Sequence, residues 1–589
     1  MKLLRVQLGC VLSVILFGVG ILRSDGLAKQ IDSIENEKVW IYLNTAAIPR
    51  DAEHRIAYPD RTVRRLRKNN WETTQTGPGT GDYVLRKADL VHIKPFCGKI
   101  YFFSRSLSAI SASVPRDKLD ALARLDEVLK IERVRVLAVE RPVLPFSVAD
   151  EKMIAKSDPR SDFYGVTYGQ LQQLNIPAVH ESGLSGKGVR IALFDSGFFK
   201  NHEVFDRLIQ DGRLIAERDF IFGDNNVQDE TAEDSTYEGN QQFHGGEVWS
   251  IIAGYKPYAY VGVAYDAEFL LAKTERLGSE TQIEEDMLVA GVEWADSLGA
   301  DIMSTSLGYR DFNNFVYPFT AMDGQTTPAA RAVNWAFERG ILFVASAGNE
   351  ANNRLFPDGG ISTPGDALGT LTVGAVDENS IIAGFSSYGP TFDGRTKPDL
   401  CARGVRCRVA TEIGFGTYGS RAGTSYSAPL ITGAAALILE KYPHWCPAEI
   451  IAALKNFSSL AATPDQVYGW GIPDVYRSIY ESVDSDFPLI GNKVGEITAF
   501  PNPANSSVNL FFQWGVYAAA GDDPVELMIF DMLGRKVYGW DVYPSGRGMK
   551  YVARWDMKDT DGAPVPSGIY IMSLSSKKEL KMGRLTVIR

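Results

Sequence analysis

From Gly188 onward, short apolar segments alternate with longer stretches of helical spacing, and this alternation constrains the fold more than any other feature of the chain. The apolar segments are 189–194 (VRIALF), 267–272 (AEFLLA), 301–304 (DIMS), 341–345 (ILFVA) and 371–376 (LTVGAV). Between them lie helix-like runs such as 284–297 and 328–339. Strands this apolar need cover on both faces, and a crossover helix between successive strands makes them parallel. The expectation over residues 160–482 is therefore an α/β domain with a doubly wound, mainly parallel sheet. Its ligand site should lie at the carboxyl ends of the strands.

The flanks have a different texture. Residues 36–145 read as a small α+β domain. Segments 38–43 and 109–114 are strand-like, 115–129 has helical spacing through Leu119, Leu122 and Leu125, and 134–139 is extended again. The basic run 61–68 reads as a solvated helix face. A net charge of -11 speaks against a nucleic-acid binder, which would carry a basic face. Segments 149–161 and 482–495 read as linkers. Residues 496–589 are β-rich with turn signals at Pro501-Asn502-Pro503 and Asp561-Gly562, the pattern of an all-β sandwich.

Residues 1–28 read as a cleaved secretory signal peptide. Lys2 and Arg5 precede an apolar run, 6–22, and Gly26-Leu27-Ala28 offers a small-residue cleavage site. The rival reading is an uncleaved anchor. Cys10 would leave with the signal, so Cys97, Cys401, Cys407 and Cys446 remain. A short Cys401–Cys407 bridge and free buried thiols are both open. No C-x-x-C pair and no His-Glu-x-x-His occurs, which disfavours a zinc ribbon and a metallopeptidase.

The chemistry concentrates at four places. Gly423-Thr424-Ser425 sets a hydroxyl at a glycine turn that opens into the apolar run 430–439. Backbone N–H groups and the helix dipole there favour a developing negative charge. A serine nucleophile needs a base, and the base needs an orienting acid. Of six histidines, His244 alone combines adjacent glycines, Gly245-Gly246, with the start of an apolar helix. Asp195 directly follows the strand 189–194, where an acid is expensive unless hydrogen-bonded. Asn349 closes the strand 341–345 after Ala347-Gly348 and can offer its amide to an oxyanion, beside the Ser425 N–H. Taken singly, each has a plainer reading as a cap, turn or structural residue; together they form a hydrolase constellation.

The order Asp195, His244, Asn349, Ser425 resembles that of the subtilisin-like serine proteases, the subtilases. Asp195-Ser196-Gly197 and Gly423-Thr424-Ser425-Tyr426-Ser427-Ala428-Pro429 resemble their aspartate and serine motifs. Ser306-Leu307-Gly308 resembles the segment that pairs with substrate backbone. Gly262-Val263-Ala264 and Lys397-Pro398-Asp399 match further framework positions. The likeness covers roughly residues 164–480. It implies a secreted endopeptidase that cleaves polypeptides through the Asp195-His244-Ser425 triad and an acyl-enzyme, with no cofactor required. The family commonly carries a structural calcium, for which the sequence assigns no ligands. Residues 38–141 resemble a subtilase propeptide, a chaperone and intramolecular inhibitor in that family. The C-terminal segment resembles type IX secretion sorting domains through Phe500-Pro501-Asn502-Pro503, 529–535 and Pro566-Ser567-Gly568-Ile569-Tyr570, which implies a secreted or cell-surface location and the type IX machinery as a partner. It also resembles the immunoglobulin-like domain of flagellar hook-capping proteins. Three positions depart from the family pattern: Gly246 stands where a hydroxyl residue is usual, Trp249 is larger than usual, and Ala402-Arg403-Gly404 replaces Ala-Pro-Gly. The alternative function is a catalytically weak subtilase-fold surface protein or adhesin.

Overall fold

The computed structural model describes residues 36–44, 61–62, 65, 90–134, 160–229, 241–276, 281–312, 315–411, 416–482, 498–500, 508–513, 525–531, 534–542, 550–575 and 580–587. The signal-peptide reading, the linker readings over 149–159 and 483–495, and the strand reading beyond Val134 fall outside the described residues.

The N-terminal part is an antiparallel sheet of β1 (Asn36–Leu43), β2 (Lys99–Ser104), β3 (Ala109–Pro115) and β4 (Val128–Val134), in the order β2-β3-β1-β4. The helical spacing through Leu119 and Leu122 yields a helix of one turn, Leu119–Leu122. β4 then starts at Val128, six residues before the strand expected from sequence. Leu125 sits in the turn between them, where its spacing imitates a third helical position.

The central sheet comprises β5 (Arg190–Asp195), β6 (Leu214–Asp219), β7 (Glu268–Lys273), β8 (Ile302–Thr305), β9 (Leu342–Ser346), β10 (Thr370–Val376) and β11 (Leu400–Arg403). Their order is β11-β10-β9-β8-β5-β7-β6, and every pairing is parallel. The five strands expected from sequence form its middle. Charged residues interrupt the apolar texture of both edge strands: Glu217, Arg218 and Asp219 make up half of β6, and Arg403 ends the short β11.

The period of two along each strand divides the core. Ile191 and Leu193, Phe269 and Leu271, and Leu342 and Val344 face one apolar layer, and their alternate neighbours Ala192 and Phe194, Leu270 and Ala272, and Phe343 and Ala345 face the other. Helices α1 (Gln242–Ala253) and α4 (Thr424–Lys441) cover the first face, and α2 (Ile283–Ser297) and α3 (Pro328–Glu338) cover the second. Residues 424–439 of α4 are all buried, so this helix is enclosed all round and owes its stability to packing.

The N-terminal sheet docks on α2 and α3. Val39, Ile41 and Leu43 of β1 fill its own core, whereas Trp40 and Tyr42 join the second layer of the α/β domain. Polar contacts frame this seam. Lys38 pairs with Asp286, and Ser111 Oγ donates to the same carboxylate at 2.9 Å. Glu293 accepts from the Arg105 N–H at 3.0 Å and the Ser106 N–H at 2.9 Å. The described residues of the basic run correct the expectation of a solvated face. Arg65 is buried against Asp296, and Arg61 pairs with Asp301 and Glu268. Carboxylates on the α/β domain need cations, and these arginines supply two of them.

The C-terminal part holds two antiparallel sheets of three and four strands around Leu510, Leu527, Ile529, Trp555, Met572 and Leu585, in keeping with the expected sandwich.

Candidate active site

The chain leaves the carboxyl ends of β5, β8 and β9 within one region of the sheet, and the N-termini of α1 and α4 meet it there. Asp195 is the last residue of β5 and 1% exposed. Its Oδ1 accepts from the Ser196 N–H at 2.8 Å and lies 2.8 Å from His244 Nδ1. A carboxylate there requires Nδ1 to carry the proton, which leaves Nε2 of neutral His244 as an acceptor. The Asp195 Oδ2 atom is buried and accepts no hydrogen bond among the described residues. Burial works to lower the His244 pKa, but the Asp195 charge and hydrogen bond, with the Glu247 charge, outweigh it and hold the imidazole above its ordinary value.

Glycine lets α1 approach so closely. A Cβ on Gly245 would fall 2.2 Å from the Gly197 carbonyl oxygen and 2.8 Å from Asp195 Cβ. At Gly246 the obstacle is a side chain: an added Cβ would sit 2.2 Å from Phe199 Cδ1. The missing hydroxyl residue therefore has a steric cause, because the buried Phe199 ring holds its space. Trp249 has a similar origin. It stacks on Phe205 with ring centroids 3.9 Å apart, so the larger residue completes an aromatic layer under α1.

Ser425 is the second residue of α4, after Gly423 at φ 153°. The Thr424 N–H and hydroxyl both donate to Asn349 Oδ1 at 3.0 Å. This fixes the amide orientation, since only the oxygen can accept, and leaves Nδ2 as the outward donor of an exposed residue. No acceptor among the described residues takes the Ser425 N–H. Two donors are thus available at one place, the arrangement that suits an oxyanion.

Pro429 shapes the same turn. It has no N–H, so the Ser425 carbonyl four residues earlier receives no helical bond. Ser306 Oγ fills the role instead, donating to that carbonyl at 2.8 Å, and Ser425 Oγ donates to the Ser306 carbonyl at 3.2 Å. In this arrangement the Ser425 hydroxyl is turned to Ser306 rather than to His244, and rotation about χ1 separates the two partners. Ser306-Leu307-Gly308 runs on from β8 without a strand partner among the described residues.

The structure thus brings Asp195 to His244, Asn349 to the residue before Ser425, and Ser306 to Ser425. Sequence reasoning missed the support behind them: Thr424, which orients Asn349, and Glu247 with Arg421 and Tyr426 beside His244. Glu247, one turn beyond His244 on the same helix, was a readable signal; Arg421 was not. Elsewhere, His202 is buried with Nε2 3.0 Å from the Thr417 carbonyl, and the half-buried His180 lies between the Tyr164 hydroxyl and the Val263 carbonyl, where desolvation pushes its pKa down to about 4. Cys97, Cys401, Cys407 and Cys446 are free thiols, which decides between the two readings left open. Among the described residues, no three His, Cys, Asp or Glu side chains form a group that could hold a metal ion.

Residues 186–471 match the subtilase family, and residues 498–588 match the secretion system C-terminal sorting domain. Subtilisin Savinase from Lederbergia lenta is 33% identical over 304 residues, covering 51% of this chain and 94% of its own length. Subtilisin E from Bacillus subtilis (strain 168) is 28% identical over 394 residues, covering 63% of this chain and 88% of its own length. The serine protease AprX of the same organism is 30% identical over 326 residues, covering 50% of this chain and 67% of its own length. The sorting domain assigns the protein to type IX secretion, and hence outside the cell or on its surface. Among the described residues no helix is long and apolar enough to cross a membrane. With a third of residues shared along nearly the whole of Savinase, and with the α/β sheet and cleft described above, the chain belongs to the subtilase family and is a subtilisin-like serine protease.

Proposed function

We propose that the protein is a secreted endopeptidase made as a precursor, with Ser425 as nucleophile, His244 as general base and Asp195 as the acid that orients it. The observation that carries this reading is the 2.8 Å contact between Asp195 Oδ1 and His244 Nδ1 at a cleft that also holds Ser425 and Asn349. Ser425 Oγ attacks the scissile carbonyl carbon while its proton passes to His244 Nε2. The carbonyl oxygen becomes an oxyanion and accepts from Asn349 Nδ2 and the Ser425 N–H. Collapse breaks the C–N bond, and the leaving amine takes the proton from His244. Water then attacks the acyl carbon while His244 takes its proton, the ester bond to Ser425 Oγ breaks, Oγ takes the proton back, and the acid product leaves. The substrate lies extended along Ser306-Leu307-Gly308, whose lack of a strand partner suits strand addition.

The N-terminal sheet acts as propeptide, and its buried docking on α2 and α3 supports that role. The signal peptide of residues 1–28 is removed on export. The chemistry requires no cofactor, and a structural calcium has no assigned ligands.

The test is incubation of the purified precursor beside its Ser425→Ala variant. Self-cleavage within residues 141–165 in the parent alone is the expected result. A parent that stays intact, hydrolyses no peptide and takes no label from a fluorophosphonate probe would overturn the reading.

A further inference from the structure

Glu247 is the least explained charge near the cleft. It lies on α1 three residues after His244, one turn along the same face, and is 4% exposed. A carboxylate so placed is costly unless it is paired and hydrogen-bonded. Glu247 is both. Arg421, at the end of the strand Tyr418–Arg421, grips it as a fork, with Nε 3.0 Å from Oε2 and Nη2 2.5 Å from Oε1. The Tyr426 hydroxyl donates to Oε2 at 3.0 Å. Burial and the Glu247 charge push the Tyr426 phenol far up, so it stays a neutral donor.

Tyr426 directly follows Ser425, and its ring meets the His244 imidazole edge-on with centroids 5.8 Å apart. One carboxylate therefore ties three parts of the cleft together: the helix of the base, the helix of the nucleophile, and the strand that leads into the Gly423 turn. The ring of Tyr426 stands against the imidazole, and Glu247 fixes that ring at its far end.

We propose that Glu247, held by Arg421 and Tyr426, is a positioning residue for His244: its charge supports the imidazolium alongside Asp195, and through Tyr426 it limits the ring's orientation. This rests on the catalytic roles proposed above. The groups that face His244 and this network are Asp195 from β5, Tyr426 from α4, and Arg421 from its strand. Cys407, on the strand paired with that of Arg421, lies behind Tyr426 with Sγ 3.8 Å from its carbonyl oxygen, and Tyr260 packs on the Glu247 side of α1. Glu203, before α1, is engaged by Lys256 and Tyr418 instead. Among these, Asp195 and Glu247 supply the negative charge that favours a protonated His244.

The sign of the effect follows. The base must be neutral to act, so its pKa sets the acid limb of kcat/KM. Removing the Glu247 charge destabilises the imidazolium and moves that limb to lower pH. It also lowers kcat, because the imidazolium forms in the transition state, and it leaves KM unchanged because Glu247 touches no substrate.

The test is the pH profile of kcat/KM for a peptide substrate, measured on the processed parent and on Glu247→Gln, which keeps the shape and removes the charge. The expected result is an acid limb displaced downward with kcat reduced and KM intact. Glu247→Asp, which draws the charge back by one methylene, should show a smaller displacement in the same direction and serves if the Gln variant does not fold. An acid limb in the parent's place in both variants overturns the proposal even if melting temperatures fall, since a purely structural role predicts lost stability and an unmoved limb. A parent without Ser425-dependent activity would instead defeat the underlying catalytic reading, so the two failures are distinguishable.

Discussion

Gly246→Thr restores the hydroxyl residue usual in this family two positions after His244, and the structure predicts that it harms the chain. An ideal Cβ at Gly246 lies 2.2, 2.4 and 2.8 Å from Cδ1, Cε1 and Cγ of Phe199. Carbon atoms in good contact stand about 3.5–4.0 Å apart. The ring must therefore withdraw by more than roughly 1 Å, or α1 must shift and disturb the approach of His244 to Asp195. Phe199 has little room to move. It is 1% exposed and packs beside Phe205, centroids 6.0 Å apart. Overpacking of this kind costs about 1–3 kcal/mol, and the upper end is expected because the ring it meets is fully buried. The assay is urea unfolding in a Ser425→Ala background, which prevents self-digestion. A second variant tests the cause. Phe199→Ala alone should cost about 3–5 kcal/mol by opening a cavity, and in that background Gly246→Thr should become nearly neutral. If Gly246→Thr stays within about 0.5 kcal/mol of the parent, or if the two penalties simply add, the steric reasoning is wrong.

Asn349→Ala should lower kcat by about 10²–10³ with KM little changed, the size of loss already known for the oxyanion amide of subtilisin and read here in single-turnover kinetics. Pro429→Ala returns an N–H that competes with Ser306 Oγ for the Ser425 carbonyl, so kcat should fall, and Ser306→Ala should fall similarly without adding to it; additive losses would refute the shared carbonyl. Burial pushes the Glu285 carboxyl from 4.5 up to about 8, with the Asp286 charge adding to the shift and the Tyr317 hydroxyl, 2.8 Å away, opposing it. The folded chain then holds this proton after the unfolded chain has released it, so the group makes stability fall as pH rises from about 4.5 to about 8. Urea midpoints of Glu285→Gln should lose that part of the decline relative to the Ser425→Ala parent, and an unchanged slope would contradict it.

What the sequence disclosed follows from how far apolar burial dominates each element. The middle strands of the sheet carry apolar residues on both faces, and their texture alone places them. Asp195, His244, Asn349 and Ser425 stood out because each adjoins such an element at a glycine. The edge strands β6 and β11 escaped because charged residues interrupt their apolar texture, Glu217, Arg218 and Asp219 in one and Arg403 in the other. The basic run around Arg61 and Arg65 was misread because composition does not reveal which charges face carboxylates across a domain seam. The reason for Gly246 lay in Phe199, 47 positions earlier, and no local pattern links the two. Likewise the Glu247–Arg421–Tyr426 network joins residues up to 179 positions apart.

Most charges of the seam between the N-terminal sheet and the α/β domain divide by owner, the pair of Glu132 on β4 with Arg331 on α3 running the other way. The acids Asp286, Glu293 and Asp296 belong to α2, and Lys38, Arg105 and Arg65 belong to the segment that a cut within residues 141–165 would detach. Processing would then sort charge as well as chain, yielding a more acidic enzyme and a more basic fragment. Their re-encounter becomes a meeting of opposite fields, fast in dilute buffer and damped by salt over a Debye length of about 8 Å at physiological ionic strength. The ionic strength outside the cell would thereby help decide how long a released fragment continues to restrain the protease it came from.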